Sequence, residues 1–228
     1  MIITIDGPVA SGKSTVARML AKELDFYYLY TGFLYRGLAY VLVHAYGYNN
    51  AQMHSVRPED LDAIVHARDN GNRIFEYRYE NSRAQVFFKG KDISSFLKTE
   101  EIDNWSSLIS SKPIVRHAVF EYQVQMGKEY NLVAEGRDVG TVVFPDADYK
   151  FFLTASVDVR TKRWQDMQKK LGAHYTFEES KTAVTARDQR DEERQISPLK
   201  PAKDAIIIDS SDMGVNEVIE KLKSYIVT

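Results

Sequence analysis

A glycine-rich stretch near the amino terminus has the residue types and spacing of a phosphate-binding loop. Residues 7–14 read GPVASGKS and match the pattern GxxxxGK[ST] at every fixed position. Backbone N–H groups of such a loop surround phosphates, and the following helix adds its positive amino-terminal end. Lys13 places an ammonium near the β- and γ-phosphates, and Ser14 offers a hydroxyl to Mg²⁺. The predicted nucleotide-binding segment comprises Gly7, Pro8, Val9, Ala10, Ser11, Gly12, Lys13, Ser14 and Thr15.

The residues on either side of this loop predict the strand and the helix that it must connect. Ile2 to Asp6 is a short β-branched run that suits a buried parallel strand, and apolar residues recur at helical spacing from Gly12 onward. This context argues against a glycine turn that matches the pattern by chance. The loop does not identify the phosphate acceptor, because GTPases, ATPases and small-molecule kinases share it. The chain contains no Asn-Lys-x-Asp motif for reading guanine, which argues against a GTPase.

Arginines downstream have the spacing of a second phosphate-binding group. Transfer between two phosphates needs charge neutralisation and alignment rather than a catalytic base, and the planar guanidinium of arginine binds phosphate oxygens in pairs. On a helix predicted over residues 177–194, Arg187, Asp191 and Arg194 lie at i, i+4 and i+7 and share one stripe. Spacing alone leaves two interpretations open: a wall that faces a ligand, or a solvated face with a surface ion pair.

Two further pairs of charged residues follow predicted strands. Arg137 and Asp138 lie at the carboxyl edge of a parallel sheet, where α/β proteins bind ligands, although a buried structural ion pair is the alternative. Arg160 and Arg163 lie in a predicted helix that leads to Gly172, a candidate hinge for a lid over the nucleotide. A basic, exposed hairpin is the other interpretation of that segment.

The chain as a whole predicts an α/β fold with a central parallel sheet. Strands alternating with helices imply right-handed crossovers between parallel strands. The apolar runs that predict strands after the first one lie at residues 26–30, 132–134, 150–153 and 205–208, and helices are predicted at about 33–45, 58–68 and 99–128. Thr31 and Gly32 are predicted to form a turn after the second strand.

A pattern with a period of two interrupts the helical segments. Residues 73–79 and 84–89 alternate in this period and predict an inserted antiparallel hairpin, to which Asp92 and Ile93 add a third short strand. The tyrosines and phenylalanines at 73–88 are interpreted as the apolar face of this hairpin rather than as a platform for stacking bases.

Composition limits the partners and the location of the protein. The net charge of −2 gives no basic field for nucleic acid or an anionic membrane, and no apolar run reaches the length of a membrane span. The absence of cysteine excludes disulfides and thiol nucleophiles and fits a reducing compartment, so we expect a cytoplasmic protein. We also expect a monomer. The histidines have no mutual ligand spacing and are interpreted as surface or packing residues: His44, His54, His66, His117 and His174.

Several segments resemble the bacterial cytidylate (CMP) kinases. The opening of the family is similar to residues 5–15 and to the segment YLYTG at 28–32 with Tyr35 and Arg36. Its most distinctive segment resembles EGRDVGTVVFPDA at 135–147. RDQRD at 187–191, SPL at 197–199 and PA at 201–202 continue the resemblance, which is collinear over nearly the whole chain.

The resemblance implies a fold, a domain organisation and an activity. The fold is a three-layer P-loop kinase fold with a central parallel five-stranded sheet, an inserted small antiparallel hairpin subdomain and a lid. One nucleoside-monophosphate-kinase domain would span residues 1–228: a core at about 1–32, 108–155 and 195–228, a monophosphate-binding region at about 33–107, and a lid at about 156–194. The implied reaction transfers the γ-phosphoryl group of ATP to CMP or dCMP, with Mg²⁺, in pyrimidine nucleotide metabolism.

The resemblance also assigns roles to residues of this chain. Thr31 and Arg36 would lie near the acceptor phosphate, and Ser107 would contact the cytosine edge. The other acceptor residues would be Arg116 and Asp138 at the base, Arg137 and Arg194 at phosphate, Arg187 at base or phosphate, and Asp191 at the ribose. The implied catalytic set is Lys13, Arg137, Arg194, Arg160 and Arg163, and Ser14 is the implied metal ligand.

The sequence departs from the family pattern at three positions near the expected acceptor pocket. Tyr30 stands where the family usually has an acid, Phe33 where a small residue usually follows the glycine, and Lys98 where an arginine is typical. The tyrosine removes a negative charge close to Arg36. Two alternatives to a CMP kinase therefore stay open: a P-loop kinase for another small acceptor, and a non-catalytic nucleotide-binding protein.

Overall fold

The computed structural model describes residues 1–227, which form two compact units. The first unit comprises Met1–Phe26 and the chain from Asn131 onward, and the second comprises Tyr27–Tyr130. The strands are β1 (Ile2–Asp6), β2 (Tyr27–Tyr30), β3 (Arg68–Asp69), β4 (Asn72–Arg73), β5 (Phe75–Glu80), β6 (Arg83–Phe88), β7 (Lys91–Asp92), β8 (Leu132–Gly136), β9 (Tyr149–Thr154) and β10 (Ile206–Asp209).

The helices alternate with these strands in the first unit and dominate the second. They are α1 (Lys13–Leu24), α2 (Thr31–His44), α3 (Asn50–Met53), α4 (Pro58–Leu61), α5 (Glu100–Ile109), α6 (Pro113–Glu129), α7 (Val157–Lys170), α8 (Phe177–Glu193) and α9 (Val215–Lys223). Short π-helical turns cover Asp62–His66 and Val139–Val143, and a 3-10 segment covers Ser94–Lys98. Within residues 1–227, no helix combines the length and the apolar character that crossing a bilayer requires.

The central parallel sheet has five strands, and the predicted α/β class, sheet and antiparallel hairpin are confirmed. Four of the strands, in the order β10-β9-β1-β8, belong to the first unit, and β2 is the fifth. Ile3 and Ile5 of β1 are fully buried, as expected for a parallel strand covered on both faces. Asp6 pairs in register with Gly136 of β8 and with Phe152 of β9. The loops that follow these three strands therefore start from the same edge of the sheet.

Two predicted helix boundaries next to site residues are wrong. Thr31 and Gly32 form the start of α2 rather than a turn, because β2 passes directly into the helix. Arg194 lies beyond the last residue of α8 in extended backbone and is therefore not on the helical stripe. The chain turns back there, and the N–H of Leu199 donates to the carbonyl oxygen of Asp191 at 2.7 Å.

The helix predicted at residues 58–68 is also shorter than expected. Its α-helical part ends at Leu61, a π-helical turn continues to His66, and Arg68 already belongs to β3. Strands β3 and β4, which were not predicted, pair through a two-residue turn at Asn70 and Gly71, both with positive φ. This pairing requires extended backbone and therefore ends the helix early.

The hairpin of the second unit packs tightly against α2. Its strands β5 and β6 are joined by Asn81 and Ser82, both with positive φ, as a tight hairpin turn requires. Phe75 and Val86 lie on the buried face of the hairpin. A Cβ atom added to Gly37 of α2 would lie 2.8 Å from Cγ1 of Val86 and 3.0 Å from the ring of Phe75. The helix and the hairpin approach as closely as they do only because residue 37 has no side chain.

We predict that Gly37→Ala lowers the free energy of unfolding by roughly 1–3 kcal/mol, because the added methyl group overlaps Val86 and Phe75. Removing part of the neighbour should relieve this overlap. The double variant Gly37→Ala/Val86→Ala should therefore lose less stability than the two single variants lose together. Urea unfolding of wild type and the three variants measures this coupling, and strictly additive losses would contradict the close packing.

Candidate nucleotide-binding site

The glycine-rich loop lies between β1 and α1, as the sequence predicts. A Cβ atom at Gly7 would lie 2.1 Å from the carbonyl oxygen of Leu153, so the start of the loop has no room for a side chain. Gly12 has a φ of +93°, which a residue with a side chain rarely adopts. Lys13 is buried, and its Nζ donates to the carbonyl oxygen of Pro8 at 2.9 Å. The lysine therefore spans the loop from inside.

Glu135 lies in the motif at residues 135–147 and next to the loop, although it was not among the predicted site residues. It is fully buried in β8, where it pairs in register with Ile5 of β1. The hydroxyl of Ser14 donates to Oε1 of Glu135 at 2.7 Å. The signal in the sequence is an acid near the end of a predicted strand. P-loop proteins carry an acidic side chain that binds Mg²⁺ on the strand beside the one that leads into the loop. A hydroxyl and a carboxylate at this distance are oxygen ligands that fit Mg²⁺.

Asp6 fixes the end of β1 to the segment that follows β8. Its two carboxylate oxygens accept the N–H groups of Val139 at 3.0 Å and of Gly140 at 2.7 Å. Burial raises the pKa of Asp6 to about 7, although the two hydrogen bonds act in the opposite direction. The carboxyl group thereby sets the position of the chain directly after Arg137 and Asp138.

The arginines predicted after β8 and at the end of α8 come together in the first unit. Nε of Arg137 lies 2.6 Å from Oδ2 of Asp191, and a guanidinium nitrogen of Arg194 lies 3.4 Å from Oδ1 of Asp138. Burial alone would raise the pKa of Asp191, but Arg137, followed by Arg187 and Arg194, holds it below its ordinary value. Asp138 and Asp191 are buried, so this group is not a solvated helix face. Arg137 thus pairs with Asp191, and Asp138 pairs with Arg194.

Arg160 of α7 holds the loop through its backbone. Its guanidinium pairs with the buried carboxylate of Asp188 and donates to the carbonyl oxygen of Val9 at 3.2 Å. The N–H of Val9 donates in turn to Oδ1 of Asp188 at 3.1 Å. The pair therefore satisfies both backbone polar groups of one loop residue, Val9. Asp188 was not predicted, because its partner lies on another helix.

Arg163 also bonds to the loop, together with a serine from the far end of the first unit. A guanidinium nitrogen donates to the carbonyl oxygen of Ser11 at 3.2 Å and to Oγ of Ser210 at 3.0 Å. The hydroxyl of Ser210 lies 3.2 Å from the carbonyl oxygen of Ser11 and 3.0 Å from that of Thr154. Neither Arg160 nor Arg163 is exposed, which contradicts the interpretation of this segment as a basic solvated hairpin.

The predicted acceptor residues of the second unit lie on α2, α5 and α6. Thr31 is buried at the start of α2, and Ser107 is half-buried on α5. Arg36 of α2 donates to the carbonyl oxygen of Leu97 at 3.2 Å. Arg116 is buried on α6, where it donates to the carbonyl oxygen of Ser110 at 3.2 Å and lies 5.9 Å from the centre of the Tyr35 ring.

The sequence and the fold of this chain are similar to those of known proteins. A protein-family sequence model described as cytidylate kinase matches residues 3–228. A cytidylate kinase of Methylococcus capsulatus is 39% identical over 225 residues, covering 99% of this chain and 96% of the relative. A cytidylate kinase of Geobacillus sp. is 36% identical over 224 residues, covering 98% and 95%. A crystal structure of an uncharacterized protein from Eubacterium ventriosum shares the fold, with a TM-score of 0.53 and 13% identity over 99% of this chain and 97% of that chain.

We predict that nucleotide binding to the loop is accompanied by proton uptake. Burial, followed by the positive charge of Arg137, lowers the pKa of Lys13 to about 7, so the empty loop holds mostly neutral lysine at pH 8. Triphosphate oxygens stabilise the charged form and raise this pKa again. Binding should therefore take up more protons at pH 8 than at pH 6.

Calorimetry of Mg-ATP binding in buffers with different ionisation enthalpies measures this uptake. In the matched variant Lys13→Arg the side chain stays charged at every pH, so the difference between pH 8 and pH 6 should become smaller. An uptake in wild type that did not change between the two pH values would contradict the assignment.

Proposed function

Because the chain belongs to the cytidylate kinase family, we propose that its loop and arginine group transfer the γ-phosphoryl group of ATP to CMP or dCMP. The protein is an ATP-dependent nucleoside monophosphate kinase, and its products are ADP with CDP or dCDP. The observation that carries the assignment of residues is the grouping of Arg137, Arg187 and Arg194 around the buried carboxylate of Asp191, beside a complete phosphate-binding loop. The departures at Tyr30, Phe33 and Lys98 belong to the second unit.

The proposed mechanism relies on charge and alignment. The acceptor phosphate is already a nucleophile, so the chain needs no general base. Lys13 and the loop N–H groups bind the phosphates of ATP, while Arg137 and Arg194 neutralise charge as it redistributes between donor and acceptor. Asp191 and Asp138 orient these two arginines by ion pairs at 2.6 and 3.4 Å. Alignment is thus built into the protein before the substrates bind.

We extend the proposal to the metal and to the acceptor. Ser14 and Glu135 would hold the Mg²⁺ that accompanies ATP, a metal that neutralises charge on the β- and γ-phosphates. In the second unit, Thr31 and Arg36 would bind the acceptor phosphate, and Ser107 and Arg116 would read the cytosine. We propose that the enzyme acts in the cytoplasm, which the lack of cysteine supports, and that it has no nucleic acid or membrane partners, which the weak net charge supports. We also propose that it is a monomer.

An acceptor panel tests the activity. With Mg-ATP saturating, CMP and dCMP should give the highest kcat/KM, and AMP and GMP should be poorer by about 10⁴, since a site built for one base edge rejects others. Coupled ADP release measures each acceptor. Lys13→Ala is the control, with an unchanged melting temperature and kcat lower by roughly 10³–10⁵. A purine monophosphate as the best acceptor would refute cytosine reading, and a nearly active Lys13→Ala would refute the role of the loop.

Two variants of the arginine group should fail differently. Arg194→Ala should lower kcat by roughly 10²–10³, because its charge matters most in the transition state. Asp191→Ala should raise the KM for CMP and also lower kcat, because it releases the guanidinium of Arg137 that it now holds at 2.6 Å. Arg190→Ala is the matched control, since Arg190 lies exposed on α8 next to Asp191. Steady-state kinetics with CMP varied measure kcat and the KM for CMP. Wild-type values of both constants in both test variants would refute the assignment of this arginine group to the active site.

A further inference from the structure

Arg36 is held by a carboxylate that belongs to none of the predicted site residues. A guanidinium nitrogen of Arg36 lies 2.5 Å from Oδ1 of Asp103, and the other terminal nitrogen donates to the carbonyl oxygen of Leu97. The two groups that hold Arg36, the carboxylate of Asp103 and the carbonyl of Leu97, belong to ordered elements. Asp103 lies in the first turn of α5, which Thr99 caps through its hydroxyl, and the side chain of Leu97 is fully buried. Two neighbouring elements thus fix the plane of one guanidinium.

Helix α2 supplies no acid of its own for this purpose. Its first turn contains no acidic residue, and Tyr30 precedes it. The ring of Tyr30 stacks on Phe33 with the ring centres 4.8 Å apart, and it covers Gly32 so closely that a Cβ atom there would lie 2.7 Å from it. Position 30 is therefore occupied by aromatic packing, and the negative charge beside Arg36 comes from α5 instead.

We propose that Asp103 is a positioning residue for the acceptor monophosphate, which it serves by holding the guanidinium of Arg36 in the orientation that meets the phosphate. This inference rests on the proposed function, because it assumes that Arg36 binds the acceptor. A planar guanidinium anchored at two nitrogens cannot turn about its stem, so the direction of its other N–H bonds is set before binding.

Positioning and simple charge neutralisation predict opposite effects. If Asp103 only reduced the positive charge at Arg36, its removal would strengthen phosphate binding and lower the KM for CMP. If Asp103 orients Arg36, its removal leaves a mobile arginine, and the KM for CMP rises. The sign of the change therefore separates the two roles.

The test compares Asp103→Asn with wild type in full kinetics. We expect the KM for CMP to rise about tenfold while the KM for ATP stays unchanged, as for the loss of one charged hydrogen bond to a ligand-binding group. Glu76→Gln is the matched control, because Glu76 pairs with Arg78 at 2.6 Å in the same unit with similar exposure. The Asp103–Arg36 pair is partly exposed, at 28% and 21%, so the melting temperature should shift little in either variant.

A double-mutant cycle connects the effect to Arg36. In the Arg36→Ala background, Asp103→Asn should cause no further rise in the KM for CMP, because the group that it orients is gone. An unchanged or lowered KM in Asp103→Asn, or an equal rise in the Arg36→Ala background, would overturn the proposal. An active wild type with these results would leave the proposed function intact. A wild type that releases no ADP with CMP would instead overturn the proposed function, and this inference with it.

Discussion

Several cations must lie close together in this site before any phosphate arrives, and this constraint shapes the rest of the first unit. Positive charges that lie close together repel each other, and burial removes the water that would screen them. The structure meets the constraint by giving the cations carboxylate partners: Asp191 for Arg137, Asp138 for Arg194 and Asp188 for Arg160. Lys13 donates to a carbonyl oxygen, and burial together with the charge of Arg137 lowers its pKa.

The same constraint explains why the sheet edge is built as it is. Asp6 is the last residue of β1 and Glu135 the penultimate residue of the neighbouring parallel strand β8, and each carboxylate is fixed by hydrogen bonds to an adjacent segment. Asp6 binds two backbone N–H groups, whereas Glu135 binds the hydroxyl of Ser14. The sheet itself therefore fixes the positions of these two carboxylates. The arginines lie on the helices and on the chain that follows β8.

Much of this arrangement follows from the sequence, and the missing part has a physical reason. The phosphate-binding loop was predictable because its chemistry lies within eight consecutive residues. Asp188 and Asp103 were not, since a carboxylate that orients an arginine is defined by a contact between different helices, which spacing along the chain does not reveal. The pair Asn70 and Gly71 is a different case. It is a strong local signal for a tight hairpin, and the helical pattern before it concealed the short strands on either side.

The hydrogen bonds of Ser210 connect the loop to the order in which the chain is made. Its hydroxyl reaches the carbonyl oxygen of Ser11, a residue 199 positions earlier, and the same hydroxyl meets Arg163. During translation, residues 7–14 leave the ribosome long before this partner exists. The strand before the loop and the helix after it can thus form early in translation. The hydrogen bond from Ser210 to the loop can form only after β10 has been synthesised, so an unfinished chain has a phosphate-binding loop that lacks this support.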